Sequence, residues 1–317
     1  MGTWGVGLYS SDFALDLRSC VRAVARLPFD STRLLDVISR VEPSAAGNAE
    51  DPDHTVFWLT VGDQFARLGI NCQTARERAL TIISEGADLT AMTALGMDAK
   101  SLAKRRTMLE TLRARIAAPL TPTKPRAVLK APQKLLLEVG EVLTYPVGRN
   151  SGGDYYEPIN PYAVGKDWAW VKAWGHDGWG ALVVAERGLL FDFLAWYRPL
   201  VVSSVLASEP TISELSAAPT WMLRRGRTLT ARHRDNLQLK AVGRMEIDQA
   251  KLDHLFPDRR IPISPVVNDI SLSNEMKCSA REPEDPFWDN RRMAVAPCLA
   301  ALSDIAVGVG TGDKGRD

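Results

Sequence analysis

The chain has no long apolar run and almost no net charge. Its 317 residues contain no uninterrupted stretch of about 18 apolar side chains, which a membrane-spanning helix would need. The formal net charge of +1 argues against a polyelectrolyte partner that contacts the whole chain, although local charged patches remain open. These absences exclude helical membrane proteins and wholly basic or acidic proteins.

Cysteine and histidine are also scarce, with four of each. The cysteines are scattered and no two have Cys-x-x-Cys spacing, so we expect reduced, mostly buried thiols in a cytoplasmic protein. No histidine has a partner at ligand spacing, and we expect no metal. The sequence shows no Gly-x-Ser-x-Gly motif, and Gly308–Gly315 lacks the spacing of a phosphate loop. We therefore predict no catalytic residue and no cofactor.

The length predicts two domains, because a single core rarely grows to this size. Prolines and lysines concentrate in residues 119–134, a composition typical of an extended linker. We predict an α-helical domain over 1–118, the linker, an α+β domain over 135–307 and a disordered tail over 308–317. The predicted fold class is α+β, with an all-α bundle followed by a domain built on a small antiparallel β-barrel or curled sheet.

Helical periodicity dominates the first part of the chain. Asp30 and Asp98 suit N-caps, and Gly69 and Gly86 suit helix stops. Residues 44–54 are small and acidic, as in a surface loop. The predicted helices cover 12–27, 31–42, 55–68, 72–84, 88–96 and 98–116.

The second part changes to short β-type segments separated by turn residues. We predict turns at 176–178 and 186–188, a loop over 148–161 and a helix over 248–256. The predicted strands cover 135–146, 168–174, 180–185, 189–195, 200–205 and 237–247.

The first residues combine one large aromatic side chain with several glycines. We expect Trp4, between Gly5 and the preceding glycine, to anchor the terminus, with Gly7 supplying flexibility. Such a start does not match a secretion signal. Asp12 and Asp16 stand one helical turn apart, so they share a face. They are either an acid/base pair or cation site of a hydrolase-type enzyme, or a helix cap and a dipole partner; capping logic favours the second interpretation.

The pattern Met-Gly-x-Trp-Gly-x-Gly, with Asp12 and Asp16 after it, resembles the start of an uncharacterised bacterial family. Phe57–Leu59, Ile82–Leu89 and Lys104–Glu110 resemble that family too, so the likeness covers about residues 1–118. The family is known as a helical domain of unknown function. The resemblance therefore implies an architecture and supplies no catalytic residue.

A second resemblance begins at Gly140. The run Gly140–Val147 resembles the first strand of immunity proteins found beside bacterial polymorphic toxins, in which a Gly-Asp/Glu-Val-φ-x-φ-Pro-φ motif (φ apolar or aromatic) opens a small α+β barrel. The Gly-Arg-Tyr or Tyr-Gly second strand usual there is replaced by an enlarged loop with Tyr155 and Tyr156. The resemblance implies a toxin or another protein as the partner.

Aromatic residues concentrate in the second part of the chain. Alternation places Trp168 and its neighbouring tryptophans on one strand face, which is either core or an interface. Since Trp, Tyr and Arg dominate interface energetics, we predict non-enzymatic protein–protein recognition in toxin immunity or defence. The predicted partner contacts are Tyr155, Tyr156, Trp168, Trp179 and Arg198.

Two basic clusters, 104–134 and 224–234, leave nucleic-acid binding as an alternative function. No aromatic residue interleaves the first cluster to stack bases, and no recognition motif accompanies either cluster. A solvated helix face therefore explains the first cluster better, and the same interpretation holds for the second.

Overall fold

A computed structural model describes residues 5–119, 126–149, 155–159, 176–216, 221–255, 272–279, 299–300 and 306–310. The chain divides into two compact units, with the boundary between Ala131 and Pro132. The first unit, here the helical head, is helical throughout its described secondary structure; the second, the sheet unit, contains all the described strands. The predicted α+β class is confirmed.

Seven helices form the described part of the head. Each predicted helix is present, with ends that differ by up to three residues, and Pro43 starts one short extra helix within the predicted loop. The helices are α1 Asp12–Val24, α2 Ser31–Val41, α3 Pro43–Gly47, α4 His54–Leu68, α5 Gln73–Glu85, α6 Ala87–Ala94 and α7 Ala99–Ala117.

The helix ends follow the predicted caps. Asp30 accepts a hydrogen bond from Arg33 N at 2.8 Å, and Asp98 accepts one from Ser101 N at 3.0 Å. Gly69 and Gly86 adopt the left-handed conformation that ends α4 and α5. Helix α4 is the centre of the head: ten consecutive residues, Val56–Phe65, are buried.

The boundary between the two units falls within the predicted linker. On its N-terminal side, Leu129 N donates to Arg26 O at 2.7 Å and Arg126 donates to Phe29 O at 2.8 Å. On its C-terminal side, Gln133 N donates to Phe193 O at 2.9 Å. The described part of the segment is therefore bound to the unit on each side of the boundary by backbone hydrogen bonds.

The sheet unit is a curled antiparallel sheet. The strand order is β7-β2-β1-β3-β4-β5-β8, while β6 pairs with β1 and β9. The strands are β1 Glu141–Arg149, β2 Tyr155–Pro158, β3 Gly178–Leu190, β4 Leu194–Val202, β5 Trp221–Leu223, β6 Lys240–Ile247, β7 Cys278–Ser279, β8 Leu299–Ala300 and β9 Ala306–Gly310. Short helices α8 Ile212–Ser216, α9 Ala231–Asn236 and α10 Gln249–Leu255 accompany them.

The core of the sheet unit covers both faces of the central strands, because neighbours along a strand, such as Val142 and Leu143, are both fully buried. The side of β1 that carries Tyr145 is called the inner face here. Tyr145 and Val147 of β1 are fully buried there, and Gly180 of β3 faces the Tyr145 ring. The motif glycine, Gly140, has φ +82°, and a β carbon would lie 1.9 Å from Met245 O. Only glycine fits at this crossing of β1 and β6.

The predicted turn at 186–188 is wrong, because β3 continues through it. Glu186 pairs with Arg198 and Gly188 with Trp196, whose indole occupies the space that a β carbon on Gly188 would reach. The hairpin turns instead at Phe191 and Asp192, which have φ of 53° and 63°. A bulky residue such as Phe191 is rare in this conformation, which explains why the sequence did not indicate it.

Two further boundaries differ from the prediction. The predicted loop over 148–161 contains the end of β1 and all of β2, which pair with each other. The predicted tail begins inside β9, where Val309 pairs with Met245. The predicted strand over 168–174 lies outside the described residues. In the part of the chain that is described, none of the helices combines the length and apolar character needed to cross a membrane.

Candidate functional site

The C-terminal end of β1 carries a group of aromatic and charged side chains on the side opposite Tyr145, here the outer face. Residues paired across antiparallel strands point to the same side, and neighbours along a strand alternate. Trp179 pairs with Pro146, and Glu157 pairs with Gly148. Because Tyr145 and Val147 lie on the inner face, these four residues lie on the outer face.

The two tyrosines of β2 are separated by this alternation. Tyr156 pairs with Arg149, which is on the same side of β1 as Val147, so Tyr156 lies on the inner face. Tyr155 therefore lies on the outer face, together with Glu157. The register thus brings Tyr155 and Trp179 to one surface from strands that are distant in sequence.

The exposed aromatic groups have polar neighbours. The Lys277 ammonium lies 4.4 Å from the centre of the Tyr155 ring and 3.9 Å from Oε1 of Glu157. The rings of His176 and Trp179 meet edge to face, with centroids 4.9 Å apart. Tyr155, Glu157, Lys277 and Trp179 are half-buried, and His176 is exposed. Partly buried aromatic side chains with a polar rim are the usual anatomy of a protein interface.

Gly148 forms the floor between two carboxylates. Glu157 lies across β1 from Asp177, whose backbone N donates to Val147 O at 2.9 Å. Asp177 Oδ2 accepts a hydrogen bond from Arg149 N at 2.7 Å. A β carbon on Gly148 would lie 3.8 Å from Ile159 Cγ1 and 3.9 Å from Asp177 Oδ2. Because Gly148 has no side chain, the surface at this position is lower than it would be with any other residue.

The other predicted contact residues do not join this surface. Arg198 is only 6% exposed and forms an ion pair with Glu186. Its charge is matched inside the folded unit, so we correct the prediction that it contacts a partner. Tyr156 lies on the inner face, where it packs on the core and is half-buried, so its contact with a partner stays a prediction. Trp168 lies outside the described residues.

The N-terminal motif is held by buried polar groups of the head. Arg105, which is 1% exposed, forms a bidentate ion pair with Asp88 at 2.6 and 2.8 Å. The same guanidinium donates to Gly7 O at 3.2 Å. Ser10 Oγ lies where β carbons on Gly5 and Gly7 would come within 3.0 and 3.1 Å. The described part of the motif is thus explained by packing, while Trp4 lies outside the described residues.

A second buried centre holds Tyr9. Its hydroxyl donates to Asp63 at 2.5 Å, and Arg67 and Arg115 donate to the same carboxylate at 2.7 and 2.5 Å. Burial alone would raise the pKa of Asp63, but these hydrogen bonds outweigh it and hold the pKa below its ordinary value. The carboxylate is fully buried, charged and saturated with donors.

Asp12 and Asp16 are exposed on α1. Ser11, not Asp12, caps the helix, because its hydroxyl accepts a hydrogen bond from Ala14 N at 3.2 Å. Partial burial and then the Asp12 charge raise the pKa of Asp16. Burial and then the charges of Asp53, Asp16 and Asp51 raise the pKa of Glu42. In the described ranges, no three His, Cys, Asp or Glu side chains are arranged to hold a metal ion.

Both predicted basic clusters are partly used inside the fold. In the first, Arg105 and Arg115 form the ion pairs described above, and Lys104, Arg106 and Arg113 remain exposed. In the second, Arg227 pairs with Glu275 at 2.5 Å.

In the second cluster, Arg224 is also buried and donates to Lys277 O at 2.9 Å. Among the described residues of that cluster, Arg225 and Arg232 are the exposed arginines.

Three of the thiols, Cys20, Cys72 and Cys278, are buried and not in disulfides. Burial raises the pKa of Cys278 to about 11, although the Tyr145 hydroxyl and Arg224 lower it in part. Such a thiol stays protonated at neutral pH and packs as an apolar group. Cys298 lies outside the described residues.

Sequence reasoning missed Gly148, Glu157, Asp177 and Lys277. Gly148 and Glu157 fell in the predicted loop, and Asp177 in a predicted turn. The alternation Tyr155-Tyr156-Glu157 was the available signal, because a strand there places Tyr155 and Glu157 on one face. No family model, curated protein or solved structure matches the chain at a significant level.

Proposed function

We propose that the chain is a non-enzymatic recognition protein whose sheet unit binds a protein partner through the outer face. The observation that carries the proposal is the convergence of Tyr155 and Trp179 on one side of the sheet at the C-terminal end of β1, where both side chains stay half-exposed. Aromatic side chains that stay half-exposed beside charged groups are enriched at protein interfaces and provide most of their binding energy.

The remaining polar groups support the same function. Asp63, Asp88 and Glu275 carry ion pairs within the fold, and Cys278 is a protonated core thiol. These four side chains are therefore used for stability within the described residues. The resemblance of Gly140–Val147 to the first strand of toxin-immunity proteins supports a bacterial toxin or defence protein as the partner. The buried free thiols support a cytoplasmic location.

The test is partner capture by the full chain from its native cells, with the captured proteins quantified by mass spectrometry. Trp179→Ala and Tyr155→Ala each remove an interface aromatic group and should reduce capture at least about 30-fold, the effect of a typical hot spot. Leu95→Ala is the matched control, because Leu95 is an apolar side chain 55% exposed in the head. It should leave capture unchanged.

Thermal unfolding of each variant distinguishes lost contacts from lost structure. If a partner is retained equally by the wild type, Trp179→Ala and Tyr155→Ala, the outer face is not its binding site and the proposal is wrong. If Leu95→Ala alone loses the partner, recognition belongs to the head.

A further inference from the structure

We infer that the chain pairs with a second copy of itself through the edge of β3 near the C-terminal end of that strand. This edge, here the β3 edge, consists of the main-chain groups of Arg187 and Leu189. The two copies join their sheets as antiparallel strands related by a two-fold axis at Gly188. The inference is independent of the proposed function, because Trp179 lies at the other end of β3, about 30 Å from Leu189 along the strand.

The hydrogen bonds of β4 show which way the main chain of β3 points. Tyr197 N donates to Arg227 O and Arg227 N donates to Tyr197 O, both at 2.9 Å, so the main-chain groups of Tyr197 point away from β3. Because these groups alternate along a strand, those of Trp196 point toward β3 and meet Gly188, with which Trp196 pairs. The main-chain groups of the residues on either side of Gly188 therefore point away from β4.

These two residues, Arg187 and Leu189, have no described strand beside them on that side. The pairing of β3 with β1 ends at Val183, and Gly140 N donates to Val184 O just beyond it. Within the described ranges, no group is hydrogen-bonded to the main-chain N or O of Arg187 or Leu189. Both residues thus present an N–H and a C=O group at the edge of the sheet, as the addition of a further strand requires.

The side chains leave the β3 edge accessible. Leu189 is 37% exposed, one of the few large apolar side chains among the described residues that are so exposed. Arg187 does not shield the edge with its charge, because its guanidinium forms an ion pair with Glu138 at 2.6 Å and donates to Leu137 O at 2.7 Å. Natural proteins usually protect an edge strand with a charge, a proline or a covering element, so an unprotected edge indicates a partner strand.

The register of the pairing favours a second copy as that partner. A two-fold axis at Gly188 places Arg187 opposite the second copy's Leu189, so every group of the β3 edge pairs with another group of the same edge. An axis at Arg187 would instead require Ala185, whose carbonyl already accepts a side-chain hydrogen bond at 3.3 Å. An axis at Leu189 would require Phe191, which lies in the turn with φ 53°.

The paired edges also match in size and charge. At the axis, glycine faces glycine, and the indole of Trp196 already occupies the space that a β carbon on Gly188 would reach. Each leucine faces an arginine whose charge is matched by Glu138, so no two like charges stand opposite each other. The aliphatic stem of Arg187 can pack on this leucine. The β3 edge is therefore self-complementary, as a two-fold interface requires.

The experiment is sedimentation equilibrium of the full chain over a range of concentrations, in which we expect a monomer–dimer equilibrium. Leu189→Lys places an ammonium group opposite Arg187 twice per dimer and should raise the dissociation constant at least about tenfold. Leu189→Glu places a carboxylate there instead and should change the constant less than about threefold. Leu95→Lys, the same change at an exposed leucine of the head, is the matched control and should leave the constant unchanged.

Amide hydrogen exchange followed by NMR locates the pairing and shows that the hairpin of β3 and β4 stays folded. The Leu189 N–H should exchange freely in the monomer and become protected in the dimer, whereas the Gly188 N–H, bonded to β4, should be protected in both. Leu189→Pro removes a donor of the β3 edge without removing a bond to β4. It should also raise the dissociation constant at least about tenfold.

Three results would overturn the inference. The first is a full chain that stays monomeric at about 0.5 mM. The second is a dimer that Leu189→Lys and Leu189→Glu weaken equally, or in which the Leu189 amide stays unprotected. The third is a monomeric chain that loses a captured protein on Leu189→Pro, which would assign the β3 edge to a strand of another protein.

Discussion

The carboxylates of the helical head and those of the outer face of the sheet unit differ in burial and in hydrogen bonding. Asp63 and Asp88 of the head are fully buried, and each accepts at least two hydrogen bonds from arginine or tyrosine. Glu157 and Asp177 stand at the surface beside aromatic rings and keep acceptor capacity. Saturated charge stabilises the architecture, whereas, under the proposed function, exposed and partly satisfied charge is available to a partner.

The strongest test of this difference is to replace aspartate by asparagine in both regions. Asp88→Asn leaves the buried Arg105 charge uncompensated and should lower the free energy of unfolding of the head by about 3 kcal/mol or more. Asp177→Asn keeps an acceptor for Arg149 N and should cost less than about 0.5 kcal/mol. Amide hydrogen exchange of α7 and β3 in the full chain measures both effects.

Equal losses for the two variants would contradict the division between structural and available charge. So would a loss for Asp177→Asn that exceeds the loss for Asp88→Asn.

A second pair of variants compares two glycines of the β1 region. Gly140→Ala forces a β carbon against Met245 O at a positive φ and should destabilise the sheet unit by about 3 kcal/mol or more. Gly148→Ala places its β carbon in ordinary contact and should cost less than about 1 kcal/mol. Urea unfolding followed by tryptophan fluorescence provides the measurement.

If Gly148→Ala is the more costly variant, the register that pairs Gly148 with Glu157 is wrong. Equal tolerance of both would show that Gly140 does not lie at a crossing of β1 and β6.

Local patterns predicted the head better than the candidate site. Helix caps such as Asp30 and stops such as Gly86 act within one turn, so the sequence displays them directly. The ion pair of Arg105 with Asp88 joins two different helices. The sequence alone therefore placed Arg105 in a basic cluster. Long-range charge pairing of this kind has no local signal.

The outer face depends on register, which is set by partners distant in the chain. Trp179 meets Pro146 only because β3 pairs with β1, and Glu157 meets Gly148 only through β2. If β2 paired with β1 one residue out of this register, Tyr156 would take the place of Tyr155 on the outer face. The sequence predicted both tyrosines and Trp179 as contacts, but the register alone decides which tyrosine lies on the outer face.

The smallest expected effect concerns the acidic groups of the head that lack such pairing. The pKa of Glu42 is raised, so the carboxylate opposes folding once it ionises, and the stability that protonation provides is lost as the pH rises through the folded-state pKa. Glu42→Gln should therefore stabilise the head by a few tenths of a kcal/mol at pH 7, after solvent screening is allowed for. The gain should vanish below about pH 4, where both states are protonated.

Thermal unfolding of the wild type and Glu42→Gln from pH 3 to pH 8 measures this difference. The saturated carboxylate, Asp63, has the opposite sign: its lowered pKa stabilises the head above about pH 4, and this contribution is lost as the pH falls toward the folded-state pKa. Stabilisation by Glu42→Gln that grows at low pH would contradict the repulsion described here.

Hydroxyl-radical footprinting of the full chain, with and without a bound partner, tests the central claim most directly. The account predicts that Trp179 is oxidised faster than the fully buried Trp221 in the free chain, and that Tyr155 and Trp179 become protected in the complex while Tyr156 does not. Equal protection of the two adjacent tyrosines, or protection confined to the helical head, would contradict it.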